Sequence, residues 1–97
     1  MSALLEILKA QKTEIVEIAE HYHATNVRII GSVACGEERE DSDIDLVVDF
    51  RPGATLLDQA GLIDALSAAL GRKVDVVSDR ALNRFLRQGV LQEAVPL

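Results

Sequence analysis

Residues 43–50, Asp-Ile-Asp-Leu-Val-Val-Asp-Phe, constrain the fold more than any other stretch of the chain. Successive side chains of an extended strand leave opposite faces. Asp43, Asp45, Val47 and Asp49 therefore share one face, and Ile44, Leu46, Val48 and Phe50 share the other. A helix would scatter both sets. The segment calls for a sheet whose apolar side is covered and whose acidic side stays open near Asp43 and Asp45.

The flanking elements fit such a sheet. Residues 3–23 read as one amphipathic helix, with Leu4, Leu8, Ile15, Ile18 and Tyr22 on a stripe and Gln11 as its polar member. Ser2 is its expected N-cap. His21 and His23 are two apart, which points them to different sides of a helix, so they read as solvated histidines rather than a ligand pair. Val27–Ile30 is a short strand ended by Gly31-Ser32, and residues 36–42 form a charged loop. Arg51-Pro52-Gly53 is a turn. Thr55 opens a helix with Asp58 in the capping-box position; Leu56, Leu57, Ala60, Ile63, Leu66 and Leu70 form its apolar face. Gly71 stands where such a helix stops. Val74–Val77 is a third strand, and a last helical region begins at Ser78-Asp79, with Leu82, Phe85, Leu86, Val90 and Leu91 apolar. The order α-β-β-α-β-α predicts an α/β (α+β) fold, a small mixed β-sheet with helices packed on it. A three-stranded sheet leaves edges that a second chain, like or unlike, could cover.

A length of 97 residues predicts a single domain over 1–97. No apolar run approaches the roughly 18 residues of a membrane span. The first residues lack the basic and apolar regions of a secretion signal, and the one cysteine, Cys35, has no internal partner; both predict a cytoplasmic protein. The net charge is −6. Residues 1–50 hold four Lys/Arg against eleven Asp/Glu, and residues 51–97 hold six against five. Such a chain, with three aromatic residues, lacks the basic footprint and stacking rings of a direct nucleic-acid binder. Acidic sites do suit divalent cations, and a cation lets an acidic protein hold a phosphate.

Asp43 and Asp45 leave one strand face at i and i+2, an arrangement that is costly unless a cation sits between them. Mg²⁺ favours such oxygen ligands together with water and substrate phosphates. Asp75 lies among Val74, Val76 and Val77 on an expected core strand, where an acid should be paired or metal-bound. If the third strand lies beside the second, Asp75 completes a triad able to hold two ions about 3.5–4 Å apart. Gly31 permits close approach of a ligand, and the backbone N–H groups after it, with the Ser32 hydroxyl, can face a phosphate. Taken singly, each feature also has an ordinary structural reading: a loop end, a capped acid, a tight turn.

Together, Gly31-Ser32-x-x-x-Gly36 followed by Ser42-Asp43-Ile44-Asp45-Leu46-Val47-Val48 resembles the signature of the DNA polymerase β-like nucleotidyltransferase superfamily. The resemblance is strongest to its minimal nucleotidyltransferases (MNT), the antitoxin halves of HEPN/MNT toxin–antitoxin pairs, and it extends through Gly71-Arg72-Lys73-Val74-Asp75 to residues 91–97. It implies two Mg²⁺ ions and ATP as substrate. It implies transfer of AMP to a tyrosine hydroxyl of a partner HEPN toxin, an all-helical RNase, in a type VII-like pair. By motif position, Gly31 and Ser32 would hold the triphosphate, Asp43 and Asp45 would ligate both metals, and Asp75 would ligate one and could act as base. Cys35 and Val33 stand at two positions often basic in the family, with Arg28, Arg39 or Arg72 as substitute sources of charge. That departure keeps open a non-catalytic antitoxin that binds and occludes its toxin. Arg80, Arg84 and Arg87 fall at helical spacing and read as a wet face, or otherwise as a contact for an acidic partner.

Overall fold

The structure, a computed structural model, describes residues 3–36, 43–81 and 93–97, with all of their side chains except those of Ser32 and Cys35. Ser2, the charged loop 37–42 with Arg39, and the expected last helix over 82–92 lie outside the described residues. The elements are α1 (Ala3–Ala10), α2 (Lys12–His21), β1 (Ala24–Ile30), α3 (Gly31–Cys35), β2 (Ile44–Phe50), α4 (Leu56–Leu70), β3 (Val74–Ser78), a 3-10 turn (Asp79–Ala81) and β4 (Val95–Pro96). The strands form one mixed sheet in the order β3-β2-β1-β4. β1 runs antiparallel to β2 and β4, while β2 and β3 are parallel.

The fourth strand corrects the three-stranded expectation. Val95-Pro96 is too short to read as a strand, and proline cannot donate to a ladder. On the sheet edge beside β1 that loss is tolerated, and Leu97 N–H donates to Val27 O at 3.1 Å.

The single helix expected over 3–23 is two helices. Gln11 joins them at φ −99 and ψ 16. Hydrogen bonding runs almost unbroken through the joint, from Gln11 N to Ile7 O and from Ile15 N to Gln11 O. Leu8 and Ile15, seven residues apart on one stripe and each 1% exposed, enter the same core. Tyr22 then ends α2, and His23 takes a positive φ of 64 before β1 begins.

β1 starts earlier than expected and carries a bulge. Thr25 faces Asp49, but Arg28 faces Val47, so one strand holds an extra residue. Asn26, at φ 52, absorbs it. The bulge resets the alternation so that Ala24, Val27 and Ile29 all reach the core.

That core lies on one side of the sheet. Ile44, Leu46 and Val48 of β2 and Val74 and Val76 of β3 pack with Leu8, Ile15, Ala19, Val33, Leu62 and Leu66. The apolar face of α4 is thus carried by Leu62 and Leu66, and not by Leu56 and Leu57, which stand at the first turn and are exposed. The helix ends match expectation. Thr55 N–H donates to Asp58 Oδ2 at 2.9 Å, Thr55 Oγ1 accepts from Leu57 N–H at 3.2 Å, and Gly71 closes the helix at φ 63. Among the described residues no helix is long and apolar enough to cross a membrane.

Gly61 marks the closest approach of α4 to the end of α2: a methyl group there would run into the Tyr22 ring. Alanine in a helix interior is worth up to about 1 kcal/mol over glycine, whereas overpacking costs about 1–3 kcal/mol. Gly61→Ala should therefore destabilise the protein by about 1–2 kcal/mol in urea unfolding. In a Tyr22→Leu background, which removes the ring, the same change should become stabilising. A gain in the wild-type background would refute the contact.

Candidate nucleotidyl-transfer site

Two parallel strands begin side by side, and that brings the acids together. β2 and β3 are in register from Ile44↔Val74, so Asp45 sits directly across from Asp75. Ile44 N–H donates to Lys73 O at 3.0 Å and fixes the start of the ladder. On the other side of β2, Asp45 faces Ile30, the last residue of β1. Gly31 follows at once. Its φ is +77, and a Cβ there would come within 2.7 Å of Asp45 Oδ2. Backbone conformation and space therefore both demand glycine beside this carboxylate.

The third strand lies beside the second, as the triad required, but the reason given for Asp75 needs correction. Val74 and Val76 are each 1% exposed, while Asp75 between them is exposed on the opposite face. It is not a buried acid in need of a partner. It shares the open face with Asp45, and its Oδ1 accepts from Val76 N–H at 3.0 Å. Asp43 precedes β2 and lies 3.7 Å, through Oδ2, from Lys73 Nζ.

The electrostatics reflect this convergence. The Asp45 carboxyl is raised above its ordinary pKa, first by burial, then by the charges of Asp75 and Asp43; Lys73 opposes them. Such a group gains from any cation that arrives. Among the described residues no three acidic, histidine or cysteine side chains stand as a ready-made metal-ligand set. Asp43 and Asp75 instead turn to Lys73 and to backbone, which eases the repulsion with Asp45. Asp45, its carboxyl raised and set against the Gly31 backbone, is of the hard-oxygen donor type that a divalent cation such as Mg²⁺ takes.

The cations are placed differently from expectation. Arg28, named as a source of charge for phosphates, is engaged elsewhere on this face. It donates to Asp49 Oδ1 at 3.0 Å and lies 3.5 Å from Asp79 Oδ2, with its side chain 11% exposed. Lys73 is a cation that does stand beside the acids, at Asp43. The signal for it was present in the sequence: it stands two residues before Asp75, and so on the same face. Val33, one of the two departures from the family pattern in the sequence, is fully buried in the core. The side chains of Ser32 and Cys35 are outside the description, so Ser32 is placed only as the second residue of α3, directly after Gly31. The histidines are not a ligand pair. His23 Nδ1 lies 3.3 Å from Asp58 Oδ1, and His21 meets the Tyr22 ring edge-on at 5.0 Å.

Comparison with known proteins agrees with this geometry. Residues 8–96 match the nucleotidyltransferase domain family. The chain is 37% identical over 89 residues to protein adenylyltransferase MntA of Thermococcus cleftensis, covering 92% of this chain and 87% of that one. A solved structure of a candidate minimal nucleotidyltransferase superposes with a TM-score of 0.87 at 49% identity, covering 100% of this chain and 97% of the other. A complex of tri-AMPylated Shewanella oneidensis HEPN toxin with MNT antitoxin superposes at 0.68, with 20% identity over 91% of this chain and 69% of that one, a likeness of fold alone. With nearly its whole length matched and its acids at the head of two parallel strands beside Gly31, the chain belongs to the nucleotidyltransferase domain family and is a nucleotidyltransferase.

Proposed function

We propose that this protein is the antitoxin of a type VII-like toxin–antitoxin pair, which transfers AMP from ATP to a tyrosine hydroxyl of a partner HEPN toxin in the cytoplasm. The observation that carries the reading is the in-register pairing of Asp45 with Asp75 beside Gly31, with Asp43 close enough to raise the Asp45 carboxyl. Similarity to an adenylyltransferase of proteins supports the substrate class, and the AMPylated HEPN toxin seen with a protein of like fold supports the partner.

In this reading Gly31 and Ser32 hold the triphosphate against the end of β1. Asp43 and Asp45 would hold two Mg²⁺ ions, and Asp75 would hold one of them. Bound there, the ions would neutralise phosphate charge and lower the pKa of the acceptor phenol, about 10 when free. The chain's own part is to align and to accept a proton. The acceptor oxygen attacks the α-phosphorus, the bond from that phosphorus to the bridging oxygen breaks, and pyrophosphate leaves with the electron pair. Asp75, exposed on the site face, takes the hydroxyl proton. Positioning and charge neutralisation are the main demands of such a transfer, so a small sheet suffices.

A second reading, occlusion of the toxin without transfer, draws on the burial of Val33, a departure from the family pattern. Intact mass separates the two. Incubated with ATP, Mg²⁺ and this protein, the cognate HEPN toxin should gain one or more AMP units. Asp45→Asn should slow the gain by at least about 100-fold, a loss typical for removing a main electrostatic group of a transition state. Neutralisation of the toxin with no mass change would leave only occlusion.

Stability gives an independent test of the ion site. Because the native Asp45 carboxyl is raised, the native state holds its proton more tightly than the unfolded chain. The contribution is full below the ordinary carboxylate pKa of about 3.9 and is lost as pH rises through the raised native value. In EDTA at pH 7, Asp45→Asn should melt higher than wild type, and the gap should close toward about pH 4. Mg²⁺ should raise the melting temperature of wild type and leave that of Asp45→Asn unchanged. Equal melting of the two proteins at pH 7 in EDTA would count against a strained carboxylate cluster.

A further inference from the structure

We propose that the end of the sheet opposite the carboxylates, where β2 and β3 finish and α4 begins, is a docking surface for an acidic and apolar segment of the partner protein. The inference rests on the reading of a protein acceptor given above. A cavity of about 320 Å³ opens there, with Phe50, Arg51, Ala54, Leu56 and Arg80 among its lining residues. Leu56, which lines it, and Leu57, the next residue of α4, are 82% and 83% exposed. A lone exposed leucine needs no explanation, but two neighbours beside a cavity form an apolar anchor of the kind that interfaces bury.

Charge selects the occupant. The chain carries sixteen Asp/Glu against ten Lys/Arg, yet among the described residues that line the cavity there are two arginines and no carboxylate. Among the described residues no carboxylate pairs with Arg51 or Arg80. Asp58 already caps the first turn of the 15-residue helix α4, so the positive charge here comes from Arg51 and Arg80. A carboxylate next to a leucine- or phenylalanine-sized side chain is the complement of this surface.

The placement separates binding from chemistry. Arg51 follows Asp45 by six residues along β2, about 20 Å at 3.3 Å per residue. A partner anchored at Leu57 therefore presents its acceptor hydroxyl to Asp75 from a different segment. Acceptor choice then depends on reach and not on the sequence around the acceptor.

Calorimetric titration of the full-length chain with its cognate HEPN protein tests this. Leu57→Glu puts an acid into a first helical turn, where acids are tolerated, so the melting temperature should hold. Its affinity for the HEPN protein should fall at least tenfold, with binding of Mg²⁺ and a non-hydrolysable ATP analogue unchanged. Arg51→Glu with Arg80→Glu should weaken docking as much and flatten its salt dependence. Affinities within twofold of wild type for both variants would overturn the proposal. So would a wild-type dimer in sedimentation that Leu57→Glu splits while toxin affinity holds, since the face would then join two copies. If wild type binds the toxin through Leu57 but transfers no AMP, docking stands and transfer falls. If AMP is transferred and the variants bind as wild type does, transfer stands and docking falls. No binding of the toxin by wild type removes both.

Discussion

Two like charges held side by side across a parallel ladder are the constraint on which the site depends. Asp45 and Asp75 face each other because Ile44 and Val74 start their strands in register, and that register is set by core packing of Ile44, Leu46, Val74 and Val76 on the far side of the sheet. A one-residue slip of β3 would turn Asp75 into the core and a valine toward Asp45. Hydrophobic burial therefore holds together an electrostatic arrangement that the acids alone would oppose. The Asp45 carboxyl carries the cost as a raised pKa, and the groups around it, Lys73 beside Asp43 and Val76 N–H beneath Asp75, relieve part of it. A carboxyl perturbed in this way at an open strand edge is the mark of a candidate functional site.

The rest of the fold is arranged around that edge. Gly31 lets β1 end against Asp45 without a side chain between them. The bulge at Asn26 keeps Ala24, Val27 and Ile29 on the core side while Arg28 stays on the site side, where Asp49 and Asp79 hold it. α4 is the crossover that makes β2 and β3 parallel, and Gly61 allows it to lie against Tyr22. Because the crossover starts at one end of the sheet and returns to the other, its exposed first turn and the acids are pushed to opposite ends of β2. A small transferase can thus offer a partner one surface for attachment and another for reaction.

Much of this was legible in the chain. The alternation over 43–50 gave the strand, its faces and two of the three acids, because a period of two has no other use. Thr55, Asp58 and Gly71 bounded α4 correctly, because caps act through local hydrogen bonds and backbone conformation. Where helix direction or edge pairing depends on distant contacts, the reading failed. The break at Gln11 has no turn residue to announce it, and β4 exists because β1 offers it an edge. The apolar face of α4 was misread toward Leu56 and Leu57 because a leucine-rich helix has more apolar residues than its contact stripe needs.

The sequence by itself determined which residue types are available at the head of β2 and at the end of β1: acids at alternate positions and a glycine. Local physics suffices for that, since strand alternation and turn conformation act over a few residues. Only the tertiary structure decided that Asp75 is an open neighbour of Asp45, that Lys73 and not Arg28 stands by the acids, and that Leu56 and Leu57 are left bare. Those outcomes depend on strand order and on which face each element buries, and these are fixed by contacts between segments far apart in the chain.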